Sequence, residues 1–295
     1  MQKELMGAVA MRLSVLPEEL ARRIRTGLNV LADPKIYAFG SIELSGTLSG
    51  TLSGDDDVWH GVAYASSELS EAKQFARAEP GTAFNLSAEE LTAVHQRFAG
   101  RTPASTETLA RASAAWREIL AGRFRAYREF GTAGLAGYDR GGTTSWPGNE
   151  LHHGDTAPYV PAALAAFVRT VDRFPALPTE IKSYFFWKKT EIDDRPAFVL
   201  SHVMIQEDTD AIRFALREFY VSHTYNVLQQ FGMASPTSDG GTMLVVINST
   251  ITDRLPGIFT SFARSIGEQR ALSALEDYFL SIRRTLGADT WLSGG

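Results

Sequence analysis

The apolar residues change period once, in the last third of the chain, and that change limits the folds open to it. From Ile181 to Thr252 apolar and polar positions alternate as in antiparallel strands joined by short turns. From Ile258 to about Leu286 the apolar positions recur every three or four residues, as on one face of a helix. A twisted sheet followed by one long amphipathic helix predicts a sheet wrapped around that helix, with space between the two. The expected class is α+β: an antiparallel sheet gripping a long C-terminal helix, preceded by a mixed and helical N-terminal region.

The strands are expected at Ile181–Glu191, Ala197–Gln206, Ile212–Phe231 and Thr242–Thr252. The third is long for a strand and calls for a bulge or break near Arg217–Glu218, or for a short helix over Ile212–Arg217. Upstream, Pro17-Glu18-Glu19 opens a helix to about Leu31, and Lys35–Leu44 reads as a strand. Val58–Ala65 reads as its return strand. Between them Ser45–Gly54 contains SGTL twice, too short for a solenoid and suited to a flexible hairpin tip. Helices follow at Ser67–Ala78, Ser87–Phe98 and Ser105–Phe130. Ser87 and Glu90 stand at capping-box spacing, and Ser105 has N-cap chemistry. Gly131–Gly142 is glycine-rich but follows a helix, not a strand, which argues against a dinucleotide loop. A helix at Val160–Phe174 then leads to the sheet. Residues 143–158 are poor in apolar side chains and separate two regions, a mixed and helical one over 1–150 and a sheet-plus-helix one over 155–290.

Composition sets further bounds. The 295 residues are 44% hydrophobic and 21% charged, the balance of a soluble globular protein. A net charge of -5 with no basic block argues against a nucleic-acid partner. The absence of cysteine excludes disulfides, thiol chemistry and cysteine zinc sites. No apolar run reaches the roughly 18–20 residues of a membrane span. The short apolar stretch Met6–Met11 lacks the basic start and apolar core of a signal peptide.

Within the strands, Phe198, Leu200, His202 and Met204 share one face, and Phe219, Val221, His223 and Tyr225 share another. Both faces of the sheet are largely apolar, so both are expected to be covered, one by the C-terminal helix and one by N-terminal elements. A buried histidine must be hydrogen-bonded, so His202 and His223 are each either satisfied in the core by a tyrosine or a backbone carbonyl, or donors into a pocket. Antiparallel pairing about Glu207–Ala211 sets them on the order of 20 Å apart. Lys188 and Lys189 are expected to snorkel out at the strand end. Arg213, Arg217 and Glu218 offer a cross-strand ion pair. His152-His153-Gly154-Asp155 is the one contiguous cluster of metal-ligand type, and it reads as solvated loop. Ser201 and His202, adjacent in a strand, point to opposite faces and do not make a dyad.

Trp187-x-Lys189, Ser201-His202-Val203, Tyr220-x-Ser222-His223-x-Tyr225 and Val246-Ile247-Asn248-Ser249 with Asp253 together resemble an uncharacterised family of bacterial proteins, many of them exported. Arg123, Tyr127-Arg128, Gly134-Leu135 and Tyr138 fit its middle segment. Members usually carry Lys where Arg217 stands and Arg where Ser249 stands. The resemblance implies no activity; it does imply an exported protein. The strand-then-helix ending is similar, at the level of fold, to the helix-grip fold of START-type lipid-transfer and polyketide-cyclase-like proteins.

The function expected is binding of a hydrophobic small molecule or lipid in a sheet–helix cavity lined by Trp187, Met204, Tyr220, Tyr225, Asn248 and Phe262. The alternative is an enzyme using the same pocket, with His202 or His223 as catalytic acid or base. A further alternative is a structural or interaction protein with a filled core. No cofactor or metal is called for.

Overall fold

The computed structural model describes residues 3–27, 35–42, 57–100, 104–151, 160–253, 280–281 and 283–286. The chain opens with a strand, β1 (Lys3–Leu13), and a short helix, α1 (Pro17–Arg25), with proline in its first turn. Strand β2 (Ile36–Ile42) follows. A helical block comes next: α2 (Leu69–Phe75), α3 (Ala88–Phe98) and the 26-residue α4 (Ser105–Phe130). A small hairpin, β3 (Tyr138–Asp139) and β4 (Thr144–Ser145), leads to one turn of helix, α5 (Pro147–Glu150), and then to α6 (Ala162–Val171). The meander expected from the alternation is β5 (Ile181–Ile192), β6 (Arg195–Glu207), β7 (Ile212–Val221), β8 (Val227–Pro236) and β9 (Thr242–Thr252).

These strands form one seven-stranded antiparallel sheet, ordered β1-β9-β8-β7-β6-β5-β2. The chain therefore enters at one edge, crosses to the other at β2, and meanders back until β9 lies beside β1. Strands on both sides of the 150–155 division share this sheet. The Met6–Met11 stretch, assigned no element from sequence, is the middle of β1. Its strand character comes from pairing with β9, Val9 opposite Val246, more than two hundred residues away.

The two faces of the sheet are covered differently. One packs against the helical block, with Phe185, Trp187, Phe198, Leu200, Phe219 and Tyr220 meeting Trp116, Leu120, Phe124 and Tyr127 of α4. Further along, Met204, Ala215 and Phe231 meet Leu164, Phe167 and Val171 of α6. The other face carries Phe186, Val203, Ile205, Phe214, Leu216, Leu244 and Val246 and receives Leu20, Ala21 and Ile24 of α1, together with Leu286. Residues 254–279, and with them Phe262 and most of the expected C-terminal helix, lie outside the described residues, as do Ser45–Gly54 and His152, His153 and Asp155. Residues 280–281 and 283–285 are helical. No helix among the described residues is long and apolar enough to cross a membrane.

Several local expectations are corrected. Val58–Ala65 is not a strand: Trp59 and Val62, three apart, are both fully buried, joined by a Val62 N to Trp59 O hydrogen bond in a tight turn. The long third strand is two, β7 and β8, separated by residues 222–226, and the register shifts at Leu200/Ser201 so that Phe219 is the extra residue of a bulge. Helix α4 starts at Ser105 itself, with Ala104 as its N-cap, whereas Ser87 and Glu90 do form the capping box of α3.

Two close contacts need glycine. Trp187 lies between β2 and the turn at Gly61, its indole N–H donating to Val58 O at 2.6 Å. A Cβ at Gly40 would come 2.4 Å from Trp187 Nε1, and one at Gly61 would come 2.5 Å from Cη2. Gly40→Ala and Gly61→Ala should each destabilise the protein by about 1–3 kcal/mol, the usual range for overpacking. Urea unfolding measures this, and an unchanged midpoint would show that the indole has room to move.

Candidate functional site

The helical face of the sheet holds a chain of buried polar groups. His202 is fully buried; its Nδ1 lies 3.0 Å from the Tyr127 hydroxyl and its Nε2 lies 2.9 Å from Ser183 Oγ. Its ring stacks on Phe185, with centroids 4.2 Å apart, and meets Phe174 edge-on. Arg217, opposite His202 in the register, is also fully buried. It donates to Val171 O at 3.1 Å, pairs with Asp172, and reaches the Gln229 amide oxygen from Nε at 2.8 Å once that amide is turned to face it. Gln229 in that orientation donates to Leu151 O at 3.1 Å.

The neutral ring of His202 carries one proton, so one of its two nitrogens donates and the other accepts, Tyr127 and Ser183 taking the complementary roles. Burial, and then the Arg217 charge, hold the His202 pKa well below the ordinary histidine value, so the ring is neutral. Burial likewise pushes the Tyr127 phenol up.

His223 is fully buried too. Its Nε2 donates to Pro196 O at 3.1 Å, which leaves Nδ1 to accept from the Thr224 hydroxyl at 2.6 Å. Pro196 stands six residues from His202 along β6, about 20 Å at the strand rise, so the histidines are separate, as their offsets require.

A second polar cluster lies on the α1 face. Glu218, buried, pairs with Lys188 Nζ at 2.5 Å and accepts from the Tyr225 hydroxyl. Glu218 sits in the row Ser201–Glu218–Leu228–Thr250. The next row, Val203–Leu216–Gln230–Asn248, carries an amide pair, Gln230 Nε2 donating to Asn248 Oδ1 at 3.1 Å. Beyond it the row Ile205–Phe214–Gly232–Val246 is wholly apolar and runs up to α1.

The expected pairing of Arg213 or Arg217 with Glu218 is corrected: Arg217 and Glu218, adjacent in β7, point to opposite faces, and Arg213 pairs with Asp208. The lysines are corrected as well. Neither snorkels out; Lys189 is buried against Glu68 at 2.5 Å and Ala63 O at 2.8 Å. Both lysines are held because the strand continues past them to Ile192 and is flanked by β2 and β6.

Of the residues expected to line one pocket, Trp187, Met204 and Tyr220 lie on the helical face, and Tyr225 and Asn248 belong to the α1 face. Trp187 is wedged, Met204 packs under α6, and Tyr220 donates to Asn85 O at 3.1 Å beneath the Arg123 guanidinium, 4.4 Å from its ring. Lys188, Glu218 and Gln230 were not singled out as ligand contacts. The available signal was their position mid-strand among aromatic and branched residues, where a charge is buried unless the strand is an edge.

A third network closes the end of the sheet. Arg140 bonds Asp253, Asn85 and Asn226 at 2.8–3.0 Å, and Ser145 and Asn226 also donate to Asp253. Burial alone would raise the Asp253 pKa, but the hydrogen bonds from Ser145, Asn226 and Arg140 hold it below the ordinary carboxylate value. Among the described residues no three His, Asp or Glu side chains gather as a metal site.

Two outcomes follow from the buried groups. The unfolded chain protonates His202 near pH 6.5, whereas the folded chain resists this, so stability is lost as pH falls below that value, at up to about 1.4 kcal/mol per pH unit. Urea unfolding between pH 7 and pH 5 should show a shallower loss in His202→Gln than in the parent, and equal slopes would contradict a neutral buried ring. Arg217→Met strands the Asp172 carboxylate and should cost about 3–5 kcal/mol, with much of it recovered in Arg217→Met/Asp172→Leu, where neither charge remains. A double variant no more stable than the single one would deny that this pairing is what the site needs.

No family model and no curated protein matches the chain, so the placement of these side chains is the basis for a functional reading.

Proposed function

We propose that the protein binds a hydrophobic small molecule or lipid on the α1 face of its sheet. The observation that carries this reading is the make-up of that face: apolar rows interrupted at one end by the Lys188–Glu218–Tyr225 cluster and the Gln230–Asn248 pair. An apolar surface with a few convergent polar groups is what a small-molecule site requires. The centre of the helical face is filled by Phe124, Tyr127, Phe185, Phe198 and Phe219, which are nearly or fully buried against one another. The helix-grip resemblance favours the same side, since Leu286 packs there beside α1. A histidine acid–base role has less behind it, because both ring nitrogens of His202 and of His223 are engaged inside packed structure.

The uncharged fluorophore N-phenyl-1-naphthylamine tests this. Saturable, micromolar binding with a fluorescence rise is expected. Val203→Trp, which fills the middle of the face, should abolish it while thermal unfolding remains cooperative. Absence of saturable binding, or binding indifferent to Val203→Trp, would remove this face from consideration.

A further inference from the structure

We infer that β1 is a self-association edge: two copies of the chain pair along it, antiparallel about a two-fold axis at Ala8, and their sheets join into one. The inference is independent of the ligand reading above. Strand β1 pairs with β9 on one side, and among the described residues no strand lies on its other side. An edge strand leaves a row of backbone N–H and C=O groups outside the ladder, and proteins ordinarily guard such an edge with lysine, proline or a bulge. From Leu5 to Met11 β1 has no charged residue and no proline, and its register with β9 runs unbroken from Lys3 to Leu13. Glu4, Met6, Ala8, Ala10 and Arg12 are exposed, Met6 to 40%, while Val9, Met11 and Leu13 turn to the α1 face. The opposite edge is different. β2 has seven residues, and its register with β5 shifts between Ile36 and Ala38, an irregularity of the kind that blunts an edge.

The order of residues in β1 selects a second copy as its partner. With Ala8 opposite Ala8, all 11 residues of the strand find a place in the new ladder, Lys3 opposite Leu13 at each end. The same register sets Glu4 opposite Arg12 of the second copy, twice by symmetry, and Met6 opposite Ala10, all on the exposed side of the strand. A slip of one residue in one direction brings Lys3 against Arg12. A slip in the other leaves Glu4 opposite Leu13 and Arg12 opposite Leu5. Both slips also turn the faces of one copy over. Within the chain Glu4 accepts from Ser249 Oγ at 2.6 Å and Arg12 pairs with Asp239. A carboxylate has two acceptor oxygens and a guanidinium five N–H groups, so each can take a further partner. Exposed ion pairs add little affinity; these fix the register, and the ladder with the covering of Met6, Ala8 and Ala10 holds the copies together. Such an isologous contact uses up β1 in both copies and closes at two.

Sedimentation velocity on the unaltered protein, from about 1 to about 100 μM, should show monomer passing to dimer, as a micromolar association does. Monomer throughout overturns the inference, whatever the variants do. Ala8→Lys, at an exposed position, sets two ammonium groups opposite each other and should weaken the dimer at least about tenfold. A dimer indifferent to that change lies on another surface and equally overturns the inference. The chain has no cysteine, so single cysteines can read the register. In the inferred pairing the two Ala8 Cα atoms lie about 4.5–5.5 Å apart, within disulfide reach, whereas the two Ala10 Cα atoms are roughly 13 Å or more apart. Oxidised glutathione should therefore couple Ala8→Cys into a covalent dimer, the two thiols passing two electrons and two protons to the glutathione disulfide, and leave Ala10→Cys uncoupled. Coupling of Ala10→Cys as readily as of Ala8→Cys, or of neither in a protein that sediments as a dimer, would rule out the two-fold axis at Ala8.

Discussion

A guanidinium with no exposure to solvent sits in the middle of the sheet, and much of the architecture is arranged around it. Arg217 is on β7, the central strand, and its contacts reach α6 through Val171 and Asp172 and β8 through Gln229. A charge so placed is tolerated only when each of its donors is met. The requirement fixes where α6 ends, because the last residues of that helix supply both a carbonyl and a carboxylate. His202, the register partner of Arg217 on the adjacent strand β6, is kept neutral partly by it. Asp172 Oδ2 remains buried with no partner among the described residues, so the pairing is one-sided on the acid.

From this centre the two faces of the sheet part in character. The helical face is close-packed with aromatic rings, among them the stacked pair Tyr127–Phe219 at 3.9 Å, and His202 and Tyr220 are hydrogen-bonded within it. Its role is to hold the helical block, assisted at one end by the Arg140–Asp253–Asn226 network. The α1 face has smaller branched side chains and one amide pair, and its charged cluster is set to one end. Residues of the same strands serve both purposes because side chains alternate: Arg217 and Glu218 are neighbours in β7, yet one anchors helices and the other belongs to the candidate ligand face.

How much of this could be read in advance depends on the range of the interactions involved. The antiparallel class, the turns before β6, β7 and β9, the α3 capping box and the extent of α4 follow from neighbours within a few residues, whereas the turn between β7 and β8 was read as strand. The separation of His202 from His223 also follows, since it needs only register and rise. β1 was missed because an isolated stretch such as Leu5–Met11 has no local mark of a strand; pairing with β9 makes it one. Val58–Ala65 was misread for the converse reason: its apolar residues are buried by α4 and β5 and not by a strand partner. The lysines were expected to snorkel out because a single strand does not reveal whether it lies at an edge or at the centre.

The sequence by itself determined the alternation of the C-terminal strands, most of the turns between them and the residue types available to each face, since these rest on local backbone preference and on alternation. It also determined that His202 and His223 would need partners once buried. Tertiary structure alone decided which partners those were, which face was filled with aromatic rings, and that Lys188 would meet Glu218 and not solvent. The physical reason is that burial and ion pairing depend on strand order and register, and β1, β2 and the helical block that set them are brought to the sheet from far along the chain.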